Sequence, residues 1–134
     1  MSYPLLALQQ AIYSQLSGDA ALQNLINGIY DQPPADAVFP FVAIEQMSSQ
    51  DWRFSGGMGV RAQITLAAYS RYHGKSECHS ILARMDALLH EASISAAGLV
   101  VAQMRTERSE VLTQADQRTT RGRLQLMIDA YSEQ

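Results

Sequence analysis

A cysteine beside a histidine, Cys78-His79, is the first pair in this 134-residue chain whose types suggest chemistry. A thiolate next to an imidazole is a nucleophile with its base. The surrounding periodicity puts both in one helix, where neighbouring side chains diverge by about 100°, so they make no working pair. Cys78 falls on the apolar stripe of that helix and reads as a small buried hydrophobe. His73, Cys78, His79 and His90 are of metal-ligating types. His79 and His90 share a helix face, yet they stand about 16 Å apart along the axis at the helical rise per residue. One zinc ion, with bonds near ~2.1 Å, cannot span that. C-x-x-C and H-E-x-x-H are both missing, and the histidines read as solvent-facing. Gly56-Gly57-Met58-Gly59 could suggest a phosphate cradle. Nucleotide-binding glycine loops have a strand before and a helix after, whereas here a strand follows. Asp31, Asp36 and Asp51 are loop carboxylates with nothing nearby to raise their pKa by burial, so they read as solvated. A small hydrolase would need a pocket of convergent acids and a histidine, and no nucleophile–base spacing in the chain announces one. The residues thus imply no catalytic group, no metal and no cofactor.

Two groups are better suited to contact. Asp51-Trp52-Arg53-Phe54 sets the single tryptophan, an arginine and a phenylalanine on a polar stretch. Trp and Arg are enriched at interface hot spots; the alternative is that Trp52 folds back on its own domain. Arg118, Arg121 and Arg123 cluster with Thr119 and Thr120 near the C-terminus. They could meet nucleic acid, pair with acids of a neighbouring subunit, or stay solvated. Ten Lys and Arg against thirteen Asp and Glu give a net charge of −3, which favours the last two over direct DNA binding.

The elements that must position these residues follow from composition and period. With 47% hydrophobic and 17% charged residues the chain is not disordered, and its length fits one domain, residues 1–134. No apolar run reaches the roughly 20 residues of a membrane helix, and the N-terminus lacks the features of a signal peptide. A lone cysteine excludes an intrachain disulfide and points to folding in a reducing cytoplasm. Pro4 opens a first helix, with Leu5, Leu8, Ile12 and Leu16 on one stripe, Leu6 and Tyr13 beside it, and Gly18 as its stop. Asp19 caps a short second helix with Leu22, Leu25 and Ile26 inward and Gly28 at its end. Ile29-Tyr30-Asp31 leads to a loop stiffened by Pro33 and Pro34. Phe39 to Ile44 is a strand, with Pro40 at its start or on an edge.

Met47 to Gly59 reads as a loop or flexible hairpin tip. Val60 to Tyr69 alternates and predicts a half-buried strand. Gly74 marks a break, and a helix runs from Ser76 to Ala92, with Asp86 and His90 spaced to pair on its surface. Leu99 begins a strand that reaches to Glu107; Val111-Leu112-Thr113 runs into a turn at Gln114 to Gln117, and Arg123 to Ala130 alternates as the last strand. The fold class is α+β: an antiparallel sheet of about four strands with two main helices on one face.

Several short runs carry a resemblance. They are Leu8-Gln9-Gln10-Ala11-Ile12-Tyr13, Asp19-Ala20-Ala21-Leu22, Gly28-Ile29-Tyr30-Asp31, and Phe39-Pro40-Phe41-Val42. Asp51-Trp52, Tyr69-Ser70-Arg71, Gly74-Lys75 and Leu88-Leu89-His90 complete it. In this order the chain resembles the tail-completion, or tail-terminator, proteins of siphophages and prophages and of phage-like gene-transfer agents. That resemblance implies a virion structural protein and not an enzyme. It implies a homo-oligomeric ring, typically a hexamer, on the head-proximal end of the tail tube. Such a ring stops tube polymerisation and joins the tube-forming protein to the head-side connector. DNA would pass through it without specific binding. The resemblance implies no cofactor and no membrane; the protein would fold in the bacterial cytoplasm and end in a phage or phage-like particle. The other reading is a small adaptor that binds a protein partner through the Trp52 loop.

Overall fold

The computed structural model describes residues 4–72 and 75–132. His73 and Gly74, read above as a metal-ligand type and a break, lie outside the described residues.

Helix α1 is Pro4–Ser17, α2 is Ala20–Gln23 and α3 is Ser76–Leu89. Strands are β1 Ile29–Tyr30, β2 Phe41–Phe54, β3 Gly57–Ser70, β4 Leu99–Thr113 and β5 Thr120–Ser132. They form one sheet in the order β1-β2-β3-β5-β4. Every pairing is antiparallel except that of β1 with β2. The architecture is therefore the α+β one expected, with β1 added to four long strands.

The helices cover one face. Leu5, Leu8, Ala11, Ile12 and Leu16 form the buried stripe of α1, while Leu6 and Tyr13 are exposed. On α3 the stripe is Cys78, Ile81, Leu82, Met85 and Leu89. Both stripes meet Val42 and Ile44 of β2, Ile64 and Leu66 of β3, and Leu124, Leu126 and Ile128 of β5 in one core. The alternation of strand side chains dictates this split, since every second residue faces the helices. At Gly122 the approach of α3 is closest: a Cβ there would lie 2.5 Å from Cys78 Sγ.

Four expectations are corrected. Met47 to Gly59 is neither a loop nor a flexible tip. β2 and β3 stay paired out to Phe54 and Gly57 around the two-residue turn Ser55-Gly56. The polar composition disguised strand because this arm is solvent-exposed on much of β2, and cross-strand pairing overrides residue propensity. Leu25 is exposed, because α2 ends at Gln23 with Asn24 as its cap, well before Gly28. Helix α3 stops at Leu89 rather than Ala92, and the following Glu91 has a positive φ of 54°. The segments at Leu99 and Val111 are one strand, β4, whose alternation is broken by register shifts at Val101/Gln103 and Thr106/Arg108.

Candidate interaction surfaces

Three regions of the sheet gather the chain's exposed polar and aromatic side chains. The first is the hairpin tip. Trp52 and Phe54 point to the same face of β2, and their rings stack with centroids 4.6 Å apart. Phe54 also meets Tyr131 of β5 at 5.4 Å. Gly59, across the ladder from Trp52, makes room for this. A Cβ there would strike the carbonyl oxygen of Ala130 and come within 3.1 Å of the indole. Trp52 and Phe54 stay half-exposed, Asp51 and Arg53 are exposed, and Met58 adds a side chain 54% exposed. Trp52 thus packs on its own hairpin and still offers apolar surface.

The second region is the opposite end of the sheet, on the order of 40 Å away along β3 at the rise of a strand residue. Arg118 is exposed in the β4–β5 turn, whose Asp116 carboxylate accepts from the Arg118 and Thr119 amides at 2.9 Å each. Those amides, and the Thr119 hydroxyl, hold the Asp116 carboxyl down at about 2. Beside this turn the Arg71 guanidinium lies 4.2 Å over the Phe39 ring, and Phe41 stacks on Tyr69 at 5.0 Å. Val38, Tyr72 and Leu112 are exposed here. Asp51 to Phe54 and Arg118 therefore lie at opposite ends of the sheet.

The third region, which the sequence did not reveal, is the sheet face turned away from the helices. Here arginines are paired with carboxylates of their own chain. Asp129 is fully buried and accepts from Arg61 Nε at 2.7 Å, Arg61 Nη2 at 3.0 Å and Gln103 Nε2 at 2.7 Å. Burial pushes its carboxyl up, but the hydrogen bonds from Arg61 and Gln103 outweigh that and hold it below the usual value. Arg121 also has a partner within the chain. Its guanidinium pairs with Glu45, which also accepts from the Tyr69 hydroxyl. Burial and that carboxylate push the Tyr69 phenol up to about 12. Arg123 pairs with Glu110, to which Arg108 also donates at 3.2 Å, and Arg105 donates to Glu107 at 3.5 Å. Arg121 and Arg123 thus each have a carboxylate partner within the chain. The signal was present in the alternation of β5, but the partners come from β2 and β4, 76 and 13 residues away.

A groove of ≈ 710 Å³ between α3 and β4 is lined by His79, Asp86, Thr106 and Glu110 among others. It tests the hydrolase reading. The Thr106 hydroxyl donates to Asp86 Oδ1 at 2.5 Å, and the Thr106 amide donates to His90 Nδ1 at 3.1 Å. In a hydrolytic triad the carboxylate orients the imidazole and the imidazole takes the hydroxyl proton. Here the hydroxyl donates to the carboxylate and also lies 3.1 Å from His90 Nδ1, which accepts from the Thr106 amide, so Asp86 meets the hydroxyl and not the imidazole. Asp86 and His90, expected to pair, instead meet through Thr106. Cys78 is buried as expected, and burial pushes its thiol up to about 11. Among the described residues no group of three His, Cys, Asp or Glu could hold a metal ion, and no helix is long and apolar enough to cross a membrane.

Comparison with known families decides what kind of protein carries these surfaces. The model of the family described as tail completion protein gp17 matches residues 10–129. The chain belongs to that family. It is a tail completion protein, structural and not enzymatic. Among solved structures, a chain from the virion of a native gene transfer agent particle is similar, with a TM-score of 0.87 and 20% identity. That match covers 97% of this chain and 98% of the other. The gp17 protein of bacteriophage SPP1 is also similar, with a TM-score of 0.65 and 20% identity over 96% of each chain. No curated protein matches in sequence. The fold of this tail completion protein is thus shared over nearly its whole length with both.

Proposed function

We propose that this tail completion protein closes into a ring, a hexamer, on the head-proximal end of a tail tube. There it stops tube polymerisation and joins the tube to the head-side connector, in a phage or gene-transfer-agent particle. The observation that carries this reading is the end-to-end likeness to a chain of a gene transfer agent virion, joined to family membership. The shape of the subunit supports it. One end presents the aromatic hairpin tip with Asp51, Trp52, Arg53 and Phe54. The other presents Arg118 and the Val38, Tyr72 and Leu112 side chains. A subunit with two unlike ends suits a ring between two unlike partners, and head-to-tail contacts around an axis close such a ring. The tip meets the tube-forming protein in this reading, and DNA passes through the centre without specific binding. The chain folds in the bacterial cytoplasm before assembly.

Electron cryomicroscopy of purified particles tests it. One ring of this protein at the tube–head junction is expected; particles purified without the protein would end the proposal. The half-exposed Trp52 beside the exposed Met58 also supports the adaptor reading, in which the protein binds a partner as a monomer or dimer. That reading requires the protein outside any particle, so the same images separate the two.

A further inference from the structure

We infer that neighbouring subunits join through charge: a hollow lined by Arg71, Lys75 and Arg118 receives Asp31 and Asp36 of the next copy of this chain. The inference rests on the ring proposed above. It starts from the charges that the fold leaves over. Of the nine arginines, Arg61, Arg84, Arg105, Arg108, Arg121 and Arg123 each have a carboxylate of their own chain within 3.5 Å. The other basic side chains are Arg53 at the hairpin tip, Arg71, Lys75 and Arg118, and among the described residues none of these is in an ion pair. The last three converge on one hollow of ≈ 420 Å³ between the start of α3 and the β4–β5 turn, and no carboxylate lines it. The neighbouring acids are engaged elsewhere. Asp116 feels the charge of Arg71, but its oxygens are taken by the Arg118 and Thr119 amides and the Thr119 hydroxyl. Glu77 accepts from the Ser70 hydroxyl at 2.6 Å.

The complementary charges sit across the sheet. Asp31 and Asp36 are exposed on the loop between β1 and β2. Asp31 accepts the adjacent Gln32 amide at 2.8 Å, and among the described residues neither aspartate is in an ion pair. Asp51, also without an ion pair, is far off at the hairpin tip. Pro33 and Pro34 stiffen the loop, so docking it costs little ordering. The ladder sets Tyr30 level with Ala43, Ala67 and Arg123, three residues from Thr120 at the hollow. That is an offset of about 10 Å along the strands. Across the sheet, β1 and β4 are opposite edges, four interstrand steps or about 19 Å apart. A head-to-tail contact brings one copy's β4 side to the next copy's β1 side and repeats around an axis. Opposite charges meeting there would steer association and fix register, while like charges would suppress wrong pairings.

Charge reversal, read in purified particles, tests this. One variant carries Lys75→Glu with Arg118→Glu, a second Asp31→Lys with Asp36→Lys, and a third all four. The four residues are exposed, and circular dichroism checks that each variant folds. Every contact takes the hollow from one copy and the loop from the next, so the combined variant restores opposite charges at each of them. Each half-reversed variant should enter particles at least about tenfold less than the native protein, because facing like charges oppose docking. The combined variant should recover most of that loss. The neutral pair Lys75→Gln with Arg118→Gln should lower incorporation less than the reversal does. Loss with both halves and no recovery in the combined variant would assign the hollow to another partner and overturn the inference. Unchanged incorporation of either half-reversed variant would overturn it as well. A ring seen with the native protein beside a failed rescue leaves the ring standing and this contact wrong; native particles without the ring refute the ring itself.

Discussion

Substituting Gly122→Ala should destabilise the protein through one contact that a second substitution can relieve. Gly122 lies on β5 beneath α3. An added Cβ would stand 2.5 Å from Cys78 Sγ, 2.8 Å from Leu82 Cδ1 and 3.1 Å from Leu82 Cγ. Unstrained contacts between such atoms lie near ~3.5–4.0 Å, so α3 must lift by about an ångström or its side chains must leave their rotamers. Overpacking of this kind costs about 1–3 kcal/mol. For a domain this size that is a fall in Tm of roughly 3–5 °C per kcal/mol. Cys78→Ala alone leaves a small void and should cost ~1 kcal/mol. In the double variant the void receives the new methyl group, and only the flexible Leu82 has to move. The pair should therefore be less destabilised than the sum of the singles by about 1 kcal/mol or more. Urea denaturation of the four proteins measures this as a double-mutant cycle. Effects that add to within ~0.5 kcal/mol, as for sites that do not touch, would refute the packing argument.

Cys78, buried and with its thiol near 11, should resist iodoacetamide at pH 8 and react only on unfolding; fast labelling of native protein would contradict its burial. Asp19 accepts from Arg84 Nε at 2.8 Å and Nη2 at 2.6 Å and caps α2. Its carboxyl is held at about 2 by the Arg84 hydrogen bond and the Leu22 amide. A folded pKa below the unfolded one stabilises above the unfolded value and is lost as pH falls toward 2. Asp19→Asn keeps a cap but loses the ion pair, so its stability deficit should shrink between pH 5 and 2; a deficit independent of pH would count against the pair. Trp52→Ala should fold with near-unchanged circular dichroism yet enter particles poorly, with partner affinity weakened by ~2 kcal/mol or more as at a hot spot. Normal incorporation would remove the tip from the interface.

Local periodicity alone settled much of this protein. The stripe of Leu5, Leu8, Ile12 and Leu16, the stripe of Cys78, Ile81 and Met85, and the alternation of Val60 to Tyr69 and Arg123 to Ala130 each encode an element in neighbouring residues. The α+β class and the burial of Cys78 follow from them, because a side chain's face within one element depends only on its spacing. Partnership between distant strands decided the rest. Whether Ser48 to Asp51 extend or loop depends on β3 holding them through its ladder. Bulges hid the continuity of β4, because one inserted residue reverses the apparent face. Nothing local showed that the arginines of β5 have carboxylate partners; the sheet order set Glu45 and Glu110 beside them. Charge pairing is a property of three-dimensional distance, and residues 76 positions apart have no spacing in sequence that records it.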